Sequence, residues 1–222
     1  MNRASFALAG RLSPVVPMRA EPVAVPDRDP DPFRDIVLDD PALRRALSGL
    51  PDAARKAQPI CLIGQSGTGK ETYARIAHAI ARKGKPFVAV DAATLNAAQA
   101  VTTLLGQTES TGLLAEAAGG SLYLGDMTVL PGPLQMVIAR LLEQGEYRHP
   151  VTGALVRPDV LFLLGATTAP AAADLAPQLR YAAMGTAITL PLLNERSHVA
   201  AQASRLARAA RADATLGPRV AD

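Results

Sequence analysis

The sequence is poor in aromatic residues and cysteine, and it has no long apolar run. Phe and Tyr together make up only 4% of its 222 residues and Trp is absent, so a helix-rich α/β core of small aliphatic residues is favoured over an all-β sandwich. The lone Cys61 excludes an internal disulfide or a Cys-rich metal site and fits a reducing compartment. The longest apolar runs, such as residues 160–166, are far shorter than the roughly 20 residues of a membrane-spanning helix.

Strong charge and an export signal are lacking as well. The formal net charge is only +3 and the basic residues are scattered, so charge alone does not argue for nucleic-acid binding. The apolar stretch at residues 6–10 is short and is followed at once by Arg11, unlike a secretory signal. We therefore expect a cytoplasmic protein with no membrane contact.

Composition divides the chain into three parts. Residues 1–33 contain six prolines and no apolar periodicity, which predicts a disordered tail. Residues 34–193 are rich enough in aliphatic side chains to form one globular core. Residues 194–222 predict a C-terminal helix, in which Arg205, Arg208 and Arg211 are better explained as a solvated face than as phosphate contacts.

Short buried strands and helices alternate through the core, which predicts an α/β fold with a parallel sheet and helices on both faces. Asp40 and Pro41 are typical of a helix start ahead of Leu43, Leu47 and Leu50. Further helices are predicted at residues 71–82, 92–105, 113–118 and 131–144, and a hairpin at 145–155. The predicted strands are 60–63, 87–90, 122–124, 160–165 and 188–190.

A phosphate-binding loop follows the first predicted strand. Its residues satisfy the pattern G-x-x-x-x-G-K between a strand and a helix, and they are Gly64, Gln65, Ser66, Gly67, Thr68, Gly69 and Lys70. Glycines let backbone N–H groups approach phosphate oxygens, and the start of the following helix adds a positive dipole. Lys70 is predicted to bridge the β and γ phosphates. A glycine-rich turn without a ligand is the alternative interpretation.

The last position of the pattern departs from its usual form. Glu71 replaces the Ser or Thr whose hydroxyl normally binds Mg²⁺, and Thr72 lies one residue late. We include both residues in the predicted nucleotide site.

The residues around this loop resemble the AAA+ domain of bacterial sigma-54-dependent transcriptional activators. The loop reads GQSGTGKE where the family has GESGTGKE, and PFVAVD at residues 86–91 is similar to its PFVAVN. Residues 119–124, 130–131, 135, 140, 145–148, 188–191 and 195–196 follow the family's later motifs in order and spacing. The resemblance covers about residues 36–200 and implies a P-loop AAA+ core with bound ATP.

The likeness breaks down at the catalytic acids. The family's LFLDE supplies an Asp for Mg²⁺ and a Glu that polarises the attacking water, but here the aligned pair is Gly125 and Asp126. Asp126 either holds Mg²⁺ and leaves no general base, or serves as a base of shorter reach; a solvated acid at a strand end is a third interpretation. Both of the first two interpretations predict slow hydrolysis.

Other elements of the family are missing or altered. The sigma-contacting GAFTGA loop should fall just before Gly112 and is absent, and the family's arginine fingers align with Ala176 and Ala182. Arg180 lies between them and is better explained as a surface charge. Thr168 takes the place of the family's sensor Asn, while most of the helical lid and the DNA-binding domain are not found, so direct DNA binding is not expected.

The resemblance therefore implies a nucleotide-binding AAA+ regulator of transcription with weak or no hydrolysis, acting through a protein partner. Two alternatives remain open. The chain could be a slow ATPase that uses Asp126 and Arg180 in a ring with itself or a complete relative. It could instead be a non-enzymatic regulator, with a vestigial site, that docks onto a complete sigma-54 activator. A P-loop small-molecule kinase fits less well, because the resemblance extends far beyond the loop.

Overall fold

A five-stranded parallel sheet forms the centre of the protein. The computed structural model describes residues 40–107, 111–167 and 175–196. The five strands are β1 (Ile60–Ile63), β2 (Phe87–Val90), β3 (Ser121–Leu124), β6 (Leu161–Ala166) and β7 (Ala187–Thr189), in the order β2-β3-β6-β1-β7. Two short strands, β4 (Tyr147–Arg148) and β5 (Leu155–Val156), form the predicted hairpin.

Helices cover both faces of the sheet. They are α1 (Pro41–Ala46), α2 (Leu50–Arg55), α3 (Lys70–Arg82), α4 (Ala100–Leu105), α5 (Leu113–Glu116), α6 (Gly132–Gln144) and α7 (Pro177–Met184). The first three pack on one face and the last four on the other, each with its own buried apolar cluster. The predicted α/β fold is confirmed.

The central strands alternate their side chains between the two clusters. In β1, Ile60 and Leu62 face the cluster under α1, α2 and α3, while Cys61 and Ile63 face the other cluster. Because both faces are covered, these strands are continuous apolar runs, as buried parallel strands usually are. Burial also raises the pKa of the Cys61 thiol to about 12, so this cysteine is a packing residue.

Two stretches that the sequence predicts as single helices are interrupted in the structure, and the helix predicted at 113–118 ends at Glu116. Residues 92–105 form a 3₁₀ turn at Ala92–Thr94 and only later α4, because the side chains of Asp91 and Asn96 accept backbone hydrogen bonds that favour turns over helix. The helix that begins after Asp40 ends at Ala46 and a new one begins at Leu50, since Gly49 and Pro51 favour a helix start there.

Several predicted regions lie outside the described residues: the tail at 1–33, the sensor residue Thr168, and nearly all of the predicted C-terminal segment, including its three arginines. Within the described ranges, no helix is long and apolar enough to cross a membrane.

Gly165 in β6 packs closely against Tyr123 of β3 and against Gly125, which follows that strand. A Cβ atom built there lies 1.9 Å from the carbonyl oxygen of Gly125 and 2.8 Å from the Tyr123 hydroxyl. We predict that Gly165→Ala lowers the free energy of unfolding by about 1–3 kcal/mol or more, because β3 and β6 must separate. Urea denaturation measures this change.

Gly132→Ala is the matched control. Apart from its chain neighbours and the backbone of its own helix, nothing lies within 4 Å of a Cβ atom at this glycine, so the substitution should change stability by no more than about 1 kcal/mol. Equal destabilisation by the two variants would contradict the close approach of β6 to β3.

Candidate functional site

The glycine loop lies at the carboxyl end of β1, in the middle of the sheet. Gly64 continues the sheet by donating its backbone N–H to the carbonyl of Ala166 at 3.0 Å, and α3 begins at Lys70. The strand, loop and helix predicted from the sequence are thus present. Ligands of open α/β sheets bind outside the carboxyl ends of the strands, which is where this loop is placed.

Glycine is required at three points of the loop. Gly67 and Gly69 have φ angles of 81° and 92°, which side-chain-bearing residues rarely adopt. A Cβ atom at Gly64 would lie 2.6 Å from Oγ1 of Thr68. That hydroxyl is buried and donates to the carbonyl of Gln65 at 2.7 Å, so Thr68 closes the loop from inside.

Lys70 folds back over the loop. Its Nζ atom donates to the carbonyl oxygens of Gly64 at 2.7 Å and Gln65 at 3.2 Å. Burial lowers the pKa of its ammonium group, while the negative charge of Asp126 opposes that shift. The ammonium group is thus held at the loop, close to a carboxylate.

Asp126 is fixed by hydrogen bonds at the end of β3. One of its oxygens accepts from the backbone N–H and the hydroxyl of Thr128, and the other accepts from the Thr167 hydroxyl at 2.5 Å. Burial acts to raise the pKa of this carboxyl, but the hydrogen bonds from Thr128 and Thr167 lower it overall. Asp126 is therefore an ionised carboxylate whose orientation is fixed by hydrogen bonds.

These groups border one cleft of about 530 Å³ at the carboxyl edge of the sheet. It is lined by Ser66, Gly67, Gly69, Lys70, Glu71, Thr72, Ala89, Val90, Asp91, Tyr123, Gly125, Asp126 and Thr167. Burial raises the pKa of the Tyr123 phenol, and the charges of Glu71, Asp126 and Asp91 raise it further. The negative groups of the cleft thus converge near this tyrosine.

A second cleft of about 560 Å³ lies on the other side of the loop. It shares Thr167 with the first cleft, and Gly64 and Gln65 of the glycine loop also line it. Its remaining walls come from α1, the ends of β1 and β7, and the segment after β7, and they are Ala42, Arg45, Ala46, Ile63, Thr189, Leu190, Pro191, Leu192 and Glu195. The loop is thus flanked by a polar cleft and a more apolar one.

Arg196 braces the loop from the far end of the described chain. Its side chain is only 7% exposed and donates to the carbonyl of Thr68 at 2.7 Å and to that of Pro191 at 3.1 Å. It also interacts with the buried hydroxyl of Tyr73, whose ring lies 3.3 Å from a Cβ atom built at Gly69. The segment after β7 therefore holds the loop in place.

The other residues singled out from the sequence are scattered. Glu71 pairs with Arg75 at 2.7 Å and Thr72 lines the polar cleft. Arg180 is exposed on α7, whereas Ala176, just before that helix, and Ala182, within it, are partly buried. None of the three lines either described cleft.

The helix ends that flank the expected position of the sigma-contacting loop lie close together. A Cβ atom built at Gly112 lies 2.2 Å from the backbone nitrogen of Gly106 and 2.6 Å from the carbonyl oxygen of Leu104. The end of α4 and the start of α5 are thus in backbone contact, with residues 107–111 between them.

The fold and the loop define a P-loop domain of the AAA+ kind. The profile of the sigma-54 interaction domain matches residues 36–176. The chain belongs to this family.

Relatives with known names agree with this assignment. A Nif-specific regulatory protein of Rhizobium leguminosarum bv. trifolii is 32% identical over 74% of this chain and 51% of its own length. The sigma54-dependent transcriptional activator SfnR of Pseudomonas putida is 34% identical over 50% of this chain and 33% of its own. This chain therefore spans about half or less of the length of these relatives.

Solved structures show the same fold. NtrX from Brucella abortus in complex with ATP superposes with a TM-score of 0.62 and 27% identity, over 73% of this chain and 42% of that one. NtrX in complex with ADP superposes with a TM-score of 0.61 and 27% identity, over 68% of this chain and 36% of that one.

Sequence reasoning missed three polar residues of the site. Thr167 and Asp91 are the first residues beyond β6 and β2. Because parallel strands end at one edge of the sheet, their positions after predicted strands were the signal that could have placed them at the cleft. Arg196 was noted only as a family match; its contact with Thr68 joins residues 128 positions apart, which no local pattern reveals.

We predict that Arg196→Met both destabilises the protein and weakens nucleotide binding. The variant leaves the Thr68 and Pro191 carbonyls without their charged donor, which should lower the free energy of unfolding by about 1–3 kcal/mol. Chemical denaturation and a nucleotide titration on the same preparation measure both effects.

Arg55→Met serves as the control, because Arg55 forms only an exposed ion pair with Asp52. Such pairs contribute about 0–1 kcal/mol. If Arg196→Met matched this control in both measurements, the proposed brace would be refuted.

Proposed function

We propose that this chain binds ATP at the glycine loop and acts as an AAA+ regulator of transcription, through a protein partner, with weak or no hydrolysis. The observation that carries the proposal is the loop itself, with its left-handed glycines and with Lys70 held across it. The Brucella abortus NtrX structures with ATP and ADP support it, since they share this fold. The proposed compartment is the cytoplasm.

The two clefts suggest how ATP is accommodated. The triphosphate would lie in the polar cleft, where Lys70 turns from the Gly64 and Gln65 carbonyls to phosphate oxygens. The base would enter the second cleft, between α1 and Pro191, where the walls are more apolar. Gly64 to Thr72 would form the boundary between the two.

Mg²⁺ would accompany the nucleotide. Within the described part of the chain, no three His, Cys, Asp or Glu side chains are grouped to hold a metal. Mg²⁺ fits such a site, because it is usually bound by one or two carboxylates together with phosphate oxygens and water. Asp126 lines the polar cleft and would be one such carboxylate, and bound Mg²⁺ would neutralise charge on the phosphates.

Weak hydrolysis is proposed because Asp126, the residue aligned with the family's water-polarising Glu, is a poor base. Gly125 brings no side chain, and Asp126 already accepts hydrogen bonds at both oxygens. Its lowered pKa also makes it a poor acceptor for a proton from water.

A partner is proposed because the family's means of contacting sigma-54 is not found in this sequence. Residues 107–111 are too few to form a GAFTGA loop between α4 and α5, whose ends are already in contact at Gly106 and Gly112. Binding of nucleotide would then act on another protein, either a second copy or a complete activator, and direct DNA contact is not part of the proposal.

We predict that Lys70→Ala weakens ATP binding at least tenfold, because charge-assisted hydrogen bonds contribute about 1.5–3 kcal/mol each. Isothermal titration calorimetry with Mg-ATP and Mg-ADP measures the loss. Lys56→Ala removes an exposed lysine away from the cleft and should bind as the unaltered protein does. No heat and no thermal shift with the unaltered protein would overturn the proposal in favour of a vestigial site.

A further inference from the structure

The geometry points to Asp91 as the second carboxylate of the nucleotide site, which holds a divalent cation together with Asp126 in place of the acid missing at Gly125. This inference rests on the proposed ATP binding. It concerns a residue at the end of β2, one strand away from the position at which the family carries its acid.

The position of Asp91 relative to Gly125 is the first support. A Cβ atom built at Gly125 lies 3.2 Å from the Cα atom of Asp91 and 3.6 Å from its Oδ1 atom. The oxygens of an aspartate at position 125 would lie about 2.4 Å from that Cβ atom. The Asp91 carboxylate therefore borders the volume that the missing side chain would have occupied.

The sheet fixes this proximity. Val90 pairs with Leu124 in the parallel register of β2 and β3, and Gly125 donates its N–H to the carbonyl of Val90 at 2.7 Å. Asp91 and Gly125 are thus the first residues beyond two adjacent strands. An acidic residue at the end of either strand therefore borders the same cleft.

Asp91 also has an oxygen to offer. Its Oδ1 atom accepts from the N–H of Ala93 at 3.0 Å, which orients the carboxylate. No hydrogen bond to its Oδ2 atom is found among the described residues, and Asp91 is exposed and lines the cleft.

Charge provides an independent argument. Lys70 is the only cationic side chain that lines the described cleft, against the carboxylates of Asp91, Asp126 and Glu71. Arg75 pairs with Glu71, so two carboxylates face one ammonium group. A polyanionic triphosphate would be repelled by this arrangement unless a divalent cation lies between the phosphates and the two acids.

The test is the effect of Mg²⁺ on ATP affinity in Asp91→Asn. Asparagine retains the side-chain oxygen that caps Ala93 but loses the charge. We expect Asp91→Asn to bind Mg-ATP about tenfold more weakly than the unaltered protein, and to bind ATP in EDTA as tightly or severalfold more tightly. A residue that only supports the fold would weaken both. Mn²⁺ titrations followed by electron paramagnetic resonance, at fixed ATP, report the cation itself.

Three further variants complete the experiment. Asp52→Asn, at an exposed ion pair, should leave both affinities unchanged. Asp91→Ser keeps a capping hydroxyl and should reproduce the loss if Asp91→Asn folds poorly. Asp91→Asn combined with Gly125→Asp should recover the Mg²⁺ effect, since it returns a second carboxylate to the same edge of the cleft. The new Cβ atom requires the Cα atom of Asp91 and the carbonyl oxygen of Val90 to yield by a few tenths of an ångström.

The outcomes are distinguishable. If Asp91→Asn and Asp91→Ser gain as much affinity from Mg²⁺ as the unaltered protein does, Asp91 is not a cation ligand and ATP binding stands. If the unaltered protein binds ATP neither with Mg²⁺ nor in EDTA, the proposed function fails and the cation site fails with it.

Discussion

Backbone hydrogen bonds hold β2, β3, β6 and β1 parallel, and the polar groups of the cleft are brought together by that alignment. Ile63 pairs with Ala166, and Leu124 pairs with both Leu164 and Val90. The residues just beyond these strands therefore lie along one edge of the sheet: Gly64, Asp91, Gly125 and Thr167, with Asp126 beside them. The buried apolar clusters on both faces stabilise this sheet, and the sheet in turn positions the site.

The cleft combines a loop typical of phosphate binding with acidic residues whose positions differ from the family's pattern. The loop retains its left-handed glycines and its lysine, and Arg196 stabilises it through a hydrogen bond to the carbonyl of Thr68. The position that should carry an acid is Gly125, while Asp91 lies against it. We propose that such an arrangement holds a nucleotide with its cation, while Asp126 is poorly suited to activate water. Binding and turnover, which are coupled in a working ATPase, would then be separated here.

The sequence was sufficient to predict the parallel sheet, its five strands and the loop, because buried parallel strands are continuous apolar runs and the loop has a spaced glycine pattern. The limits of the helices were harder to predict, since Asp91 and Asn96 form local turns within a stretch of helical composition. Contacts between distant residues could not be read locally. The proximity of Asp91 to Gly125 and that of Arg196 to Thr68 depend on strand register and on the path of the chain after β7.

A single-turnover experiment tests most directly whether this protein holds ATP without hydrolysing it. The protein, in excess over labelled Mg-ATP, is incubated until binding is complete, and the nucleotide released by acid is then separated into ATP and ADP. The account predicts that the label is recovered mostly as ATP, with at most slow formation of ADP above a buffer control. Formation of ADP well above that control, and its loss in Lys70→Ala, would contradict the account and establish a working ATPase.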